Sequence, residues 1–302
     1  MTQETRVFAG IDPPRAAELR AALQRSLPPD ADWRPTPHAS FSVRAEGVVV
    51  TCYHSGKLVV QGSGLDAFLA RHLPDLATAE PAAPDPLPMA GVTLGSDEAG
   101  KGDYFGPLVV AAACVAPEQE ARLRAAGITD SKKLRDERAA TLAGLLEREV
   151  DHEYVVLMPE HYNAAHARAG NLNVLLAEMH ARALARLYAR QPAATAIVVD
   201  RFAHESVLDA ALARALSRHP PLLQVAGGER HVAVAAASVL ARARFLAGLQ
   251  ECSDACGVDL VKGAGPPVDP VARRVLAIGG RELLGKVAKL HFQNTARYGG
   301  PG

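Results

Sequence analysis

The chain has 302 residues, room for one ordinary domain and one small one, and at 48% hydrophobic and 22% charged it has the make-up of a packed globular protein rather than a disordered one. The formal net charge is +0, so overall charge gives no sign of a nucleic-acid partner. Cys52, Cys114, Cys252 and Cys256 lack zinc spacing and suit a reducing cytoplasm; Met1 to Arg6 is too polar for a signal peptide, and the apolar stretches read as too short to span a membrane.

Residues 5–11 read as a first strand. Asp12 is placed to cap a helix with Pro13 and Pro14 in its first turn, and Leu19, Leu23 and Leu27 recur every four residues, which predicts an amphipathic helix over 14–27. β-formers fill 40–44, 48–53 and 58–61, with a turn at His54-Ser55-Gly56-Lys57, and 64–73 reads as a second helix. This order describes a small α+β domain over residues 1–78. Residues 1–80 carry eight basic and nine acidic side chains, so the domain is either an accessory or a sheet that docks a nucleic acid without a charged signature. Pro81, Pro84, Pro86 and Pro88 fall within residues 79–90 and mark a semi-rigid linker.

The second domain, 91–302, opens on Gly95-Ser96-Asp97-Glu98-Ala99-Gly100-Lys101-Gly102-Asp103-Tyr104-Phe105-Gly106-Pro107, between apolar runs at 92–94 and 108–115. The pattern predicts strand, tight loop, strand. Adjacent carboxylates repel unless a cation sits between them, glycines allow close approach to a ligand, and a lysine meets phosphate as a point charge. Together these fit a metal-dependent phosphodiester site; a solvated acidic turn would carry the same string. Gly95 to Lys101 also has P-loop spacing, but Gly102 stands where Ser or Thr should hold magnesium, and Asp97 and Glu98 would repel phosphate.

Helices are predicted over 117–126 and 136–149, with Asp130-Ser131-Lys132-Lys133-Leu134 between them as a phosphate contact or a charged turn. A strand over 153–158 follows. Asn171 and Asn173 either cap the next helix, which runs to about 190, or bond a sugar. The strand over 195–200 ends in Asp200, the position where open α/β sheets build sites, so Asp200 joins Asp97 and Glu98 if the strands are neighbours. A helix over 203–218, a strand over 222–225 and a small-residue helix over 232–242 come next; Glu229 is a further acid or a helix N-terminal charge. Lys262 to Gly265 is a loop, and two helices precede residue 288. Residues 261–302 hold seven basic side chains against two acidic ones, a net of +5 that suits a polyanion or an ordinary solvated face.

DEAGKGDYFGPLVVAA at 97–112, DSKKL at 130–134, NLN at 171–173, VVD at 198–200, VAAAS at 234–238 and AKLHF at 288–292 resemble, in order, the signatures of ribonuclease HIII. GVVVTCYHSGKLVVQG at 47–62 is similar to the TATA-box-binding-protein-like domain these enzymes carry. Type HII relatives have glycine-arginine-glycine in place of Gly100-Lys101-Gly102 and lack that domain. The resemblance implies an α/β ribonuclease H-like fold preceded by a small α+β TATA-box-binding-protein-like, substrate-binding domain. It implies hydrolysis of the RNA strand of an RNA–DNA hybrid, leaving 5′-phosphate and 3′-hydroxyl ends. Asp97, Glu98 and Asp200 fall on the family's metal-binding positions for two Mg2+ or Mn2+ ions, and Glu229 is assigned as the fourth catalytic carboxylate. Ser96, Gly100, Lys101, Gly102, Lys132 and Lys133 are assigned to substrate binding, while Arg201-Phe202 is placed outside the chemistry. A cytoplasmic monomer without membrane contact is expected. The alternatives are an HII-like enzyme cutting at single embedded ribonucleotides and a non-catalytic nucleic-acid-binding protein.

Overall fold

In the computed structural model of the chain, residues 4–8, 11–54, 56–77, 91–128 and 134–298 are described. The chain divides into two compact units, Met1–Asp85 and Pro86–Gly302. The linker assigned to 79–90 lies outside the described residues, as do Lys132 and Lys133.

The first unit runs β1 (Glu4–Phe8), α1 (Pro13–Ser26), β2 (Asp32–Trp33), β3 (Ala39–Ala45), β4 (Val48–Tyr53), β5 (Leu58–Gly62), α2 (Leu65–His72) and α3 (Pro74–Ala77). Its strands form one antiparallel sheet in the order β1-β5-β4-β3-β2. Asp12 starts α1 as its spacing predicts: the carboxylate accepts from the Arg15 backbone N–H at 2.8 Å, and prolines occupy the first turn, where no N–H is needed. Leu19 and Leu23 of α1 and Phe68 and Leu69 of α2 share one core with Val43, Val50 and Val60 of the sheet. The result is an α+β domain.

The second unit runs β6 (Thr93–Ala99), β7 (Leu108–Val115), α4 (Pro117–Ala125), α5 (Asp136–Glu149), β8 (His152–Leu157), α6 (Pro159–Ala169), α7 (Leu172–Arg190), β9 (Ala196–Asp200), α8 (Glu205–Ala215), β10 (Leu222–Val225), a 3-10 turn (Gly228–Arg230), α9 (Val232–Cys256), α10 (Val268–Val287) and α11 (Gln293–Tyr298). The sheet order is β10-β9-β6-β7-β8. β6, β7 and β8 form an antiparallel meander, and β9 and β10 run parallel to β6. All of β7 is buried. Its odd-numbered residues, Val109 to Val115, enter the core made by α5, α9 and α10, and its even-numbered ones, Leu108 to Cys114, enter the core made by α6, α7 and α8. Period-two alternation with helices on both faces makes three layers around a mixed sheet.

Two expectations change. β6 is seven residues long, so Gly95, Ser96, Asp97 and Glu98 belong to the strand and the loop begins only after Ala99. α9 continues past Arg242 to Cys256; its 25 residues are long and apolar enough to cross a membrane, contrary to the reading of short apolar stretches. Most of α9 is enclosed by the sheet and by α5 and α10, which accounts for its composition as a core helix. The two helices expected before residue 288 are the two halves of α10, kinked at Gly279 and Gly280.

Candidate active site

The alternation of β6 sorts its residues between two helices. Gly95 and Asp97 face α9; Ser96 and Glu98 face α7. A Cβ on Gly95 would lie 2.1 Å from the Ala233 carbonyl carbon and 2.3 Å from the Val234 nitrogen, so α9 rests on the strand backbone at a glycine. Two residues on, the Asp97 carboxylate accepts from the Glu98 backbone N–H at 2.9 Å and from Ser238 of α9. On the other face, His180 of α7 is fully buried, with Nδ1 2.6 Å from Ser96 Oγ and Nε2 3.3 Å from Glu98 Oε2.

β6 and β9 pair in parallel up to Ser96 and Val199, so Asp97 and Asp200 each stand one residue beyond the last pair, at the same end of neighbouring strands. The turn after β10 closes on Asp200. The Gly228 N–H donates to Asp200 Oδ1 at 3.0 Å, and a Cβ on Gly228 would come within 2.9 Å of the Asp200 backbone. Asp97, Glu98 and Asp200 thus line one cleft of about 450 Å³, together with Gly100, Lys101, Gly102, Asp103, Ser238, Arg242 and Lys262.

The loop beside the carboxylates is held by distant residues. Gly100 has φ +87° and its Cβ would sit 2.2 Å from the Pro107 carbonyl oxygen, so only glycine fits. Asp103 Oδ1 accepts from the Gly263 N–H at 2.6 Å, and the Tyr104 N–H donates to the Gly263 carbonyl at 2.9 Å. Lys289, fully buried, sends its Nζ to the carbonyls of Phe105, Gly106 and Pro107 at 3.3, 2.6 and 3.3 Å.

The electrostatics of the acid pair are split. Burial, then the charges of Glu98 and Asp200, push the Asp97 carboxyl well above the ordinary carboxylate range, against the pull of its Ser238 and Glu98 hydrogen bonds. Burial would raise Glu98 too, but the hydrogen bond and charge of His180, with Lys101, hold it below its usual value. Lys101 Nζ is 3.5 Å from Glu98 Oε1 and 5.7 Å from the centre of the Phe202 ring, which stacks on His180 at 4.9 Å and 11°. Phe202 therefore supports the site, although its position after Asp200 suggested no such part.

Three carboxylates, one of them raised by burial and by its acidic neighbours, are the oxygen donors that hard divalent cations take. Among the described residues no three His, Cys, Asp or Glu side chains are gathered closely enough to hold an ion as they stand. One Glu98 oxygen is turned to His180 and the other to Lys101.

The structure brings Asp97, Glu98, Asp200, Gly100, Lys101 and Gly102 together at the cleft. Ser96 is placed otherwise: it is fully buried under the strand and bonded to His180, so its side chain does not face substrate. Glu229 lies in the 3-10 turn next to Gly228 and is not among the cleft-lining residues. Asn171 caps α7, accepting from the Asn173 N–H at 2.7 Å. Sequence reasoning missed His180, Arg242 and Lys262. Arg242 and Lys262 both pair with Asp136 at the start of α5. Ser238 and Arg242 are four apart on α9, a helical spacing that pointed both at one cleft.

A mixed five-stranded sheet with acids at the ends of neighbouring central strands is a ribonuclease H-like fold. A family model described as Ribonuclease HII matches residues 94–295, and one described as a domain of unknown function (DUF3378) matches residues 17–83. Ribonuclease HIII of Bacillus pumilus is 34% identical over 275 residues, covering 86% of this chain and 89% of its own. Ribonuclease HIII of Streptococcus pyogenes serotype M4 is 34% identical over 284 residues, covering 92% and 94%. The crystal structure of Bst-RNase HIII in complex with Mn2+ matches with a TM-score of 0.65 and 33% identity, over 97% of each chain. This chain belongs to the ribonuclease HIII family.

Proposed function

We propose that the chain is a metal-dependent endoribonuclease that hydrolyses the RNA strand of RNA–DNA hybrids in the cleft at Asp97, Glu98 and Asp200, leaving 5′-phosphate and 3′-hydroxyl ends. The observation that carries this is the group of three carboxylates at the ends of β6 and β9, gathered in one cleft with Asp97 raised by burial and by its acidic neighbours. Asp97, Glu98 and Asp200 would hold two Mg2+ or Mn2+ ions. Bound there, the ions supply the acidity that ionises an attacking water and the charge that stabilises the leaving 3′-oxygen.

The protein's own groups do the rest. The Gly100-Lys101-Gly102 loop presents backbone groups to the strand around the cut and reads ribose 2′-hydroxyls. Lys101, Arg242 and Lys262 at the cleft, with Lys132 and Lys133, meet phosphates and position the duplex without specifying sequence. Glu229, in the turn whose Gly228 N–H bonds Asp200, is assigned as the fourth carboxylate, though it does not line the cleft as it stands.

The first domain, over 1–78 and joined through 79–90 to the catalytic domain over 91–302, binds substrate. Supporting this is a patch beside β2 where Arg20 lies over the Trp33 ring at 5.8 Å, with Phe41 6.2 Å from Trp33 and Arg34 alongside. The enzyme acts as a cytoplasmic monomer; its four cysteines are free and buried, in keeping with a reducing compartment.

Cleavage of a labelled hybrid with and without Mg2+ tests the reading: loss of cutting without the ion is expected, and cutting in chelator overturns it. A duplex with several consecutive ribonucleotides should be cut well and one with a single ribonucleotide poorly, because each unmade buried hydrogen bond costs about 1–3 kcal/mol. Equal single-turnover rates would place the enzyme with HII-like specificity.

A further inference from the structure

His180 has no part in the reaction as described, yet it is fully buried in a helix that otherwise buries apolar residues against the sheet. Its ring is fixed on three sides. Phe202 stacks on one face, Ser96 Oγ is 2.6 Å from Nδ1, and Glu98 Oε2 is 3.3 Å from Nε2. An ionised carboxylate only accepts, so Nε2 carries a proton and donates to Glu98, while Nδ1 meets the Ser96 hydroxyl. Ser96 and Glu98 are two apart on β6, so the pleat turns both toward α7 and one imidazole can reach each. Glu98 Oε1, 3.5 Å from Lys101, is the more loosely held oxygen, and both residues line the cleft.

We infer that His180 is a positioning residue for divalent-cation binding: it clamps Glu98 Oε2 so that the carboxylate meets the cation already oriented, with Ser96 fixing the ring. The inference rests on the cation reading of the cleft proposed above. Partners that orient a ligating group tune affinity without touching the ion, and losing one typically weakens binding by about 10–100-fold.

The test is titration of the full-length protein, without nucleic acid, with MnCl2 by calorimetry, alongside thermal unfolding. His180→Leu fills the space but removes the donor, and should weaken Mn2+ binding by about 10–100-fold. His180→Gln keeps an N–H for Glu98 and should recover most of the affinity. Ser96→Ala keeps the ring but frees it, and should weaken binding less than His180→Leu; it also serves if the leucine variant does not fold. A packing role alone would lower the melting temperature of both His180 variants and leave Mn2+ affinity where it was, and that result overturns the inference. If the wild-type protein takes up no Mn2+, the cation reading fails first and this inference with it.

Discussion

The two sheets of this chain keep their charges in opposite places. In the first unit the Arg6–Asp66, Arg15–Glu18 and Arg34–Asp32 pairs join well-exposed side chains, and the buried His72 meets a single acid, Glu46, at its edge. Exposed pairs contribute at most about 1 kcal/mol, and water would solvate either partner alone. In the second unit Asp97 and Glu98 stand at the end of a central strand whose sheet is covered on both faces. Charge held there is costly without a counter-ion, and its survival needs a reason. The lesson is that the site of a charge carries more functional information than the number of charges, which is why a formal net charge of +0 says nothing about this cleft.

The hardest way to break the comparison is to neutralise the enclosed charge. Asp97→Asn should lower turnover on a hybrid by at least about 10³-fold, some 4 kcal/mol of barrier. Its thermal midpoint should hold or rise, because one of two repelling acids is gone. Near wild-type turnover in Mg2+ would remove Asp97 from the cation site.

A smaller effect contrasts two glycines. Gly95→Ala drives a methyl into the backbone of α9 and should destabilise the second unit by about 3 kcal/mol, measured by urea unfolding. Gly64, at the start of α2, has φ +75° but open space around it, so Gly64→Ala should cost only about 1 kcal/mol. Similar losses at both sites would mean that close helix packing is not what sets the second unit apart.

Acid should find another enclosed group there. His231 caps α9, is fully buried, and its Nε2 has no hydrogen-bond partner among the described residues, with Glu120 3.8 Å away. Burial, then the charge of Arg124, pulls its pKa down to about 4. The folded state keeps the ring neutral while the unfolded chain protonates it near 6.5. Its stability is therefore whole above about pH 6.5 and is lost as pH falls toward 4, by roughly 2 kcal/mol at pH 5. His231→Asn keeps a capping side chain and should flatten this slope; an unchanged slope assigns it elsewhere.

The smallest effect belongs to the first unit. Deleting residues 1–85 should raise KM for a hybrid roughly tenfold with kcat little changed, as expected when one of two tethered binding modules is lost. Equal KM values would leave the first sheet without a part in substrate binding.

Much of the fold was legible in side-chain patterning. β7, α5 and β10 fall where apolar runs and helical spacing put them, and Asp12 and Asn171 cap the helices they precede. β6 was cut short because Gly95-Ser96-Asp97-Glu98 contains no apolar residue. Its strand character comes from ladder bonds on both sides and from a helix seated on Gly95, neither of which is local. α6 went unread because small and polar residues dominate it, and β2 because two residues show no period. At the site, adjacent acids and Asp200 at a strand end were readable; His180 was not, since a histidine within an apolar helix looks like any core residue. The one available sign was that Ser96 and Glu98 share a strand face, which asks for a polar partner opposite. The assignment of Ser96 to substrate binding fails for a related reason: as a strand residue, its hydroxyl faces α7 and bonds His180.

Lys289 and Gly263 bear on how the enzyme comes into being. The bonds that lock the loop after the carboxylates reach 160 residues ahead from Asp103 to Gly263 and 184 from Phe105 to Lys289. During synthesis the acids leave the ribosome early, but the loop has no partners for its carbonyls until nearly the whole chain has followed. A nascent or prematurely ended chain thus carries the acidic strand without the fixed loop beside it, and hydrolytic competence arrives as one of the last events of folding.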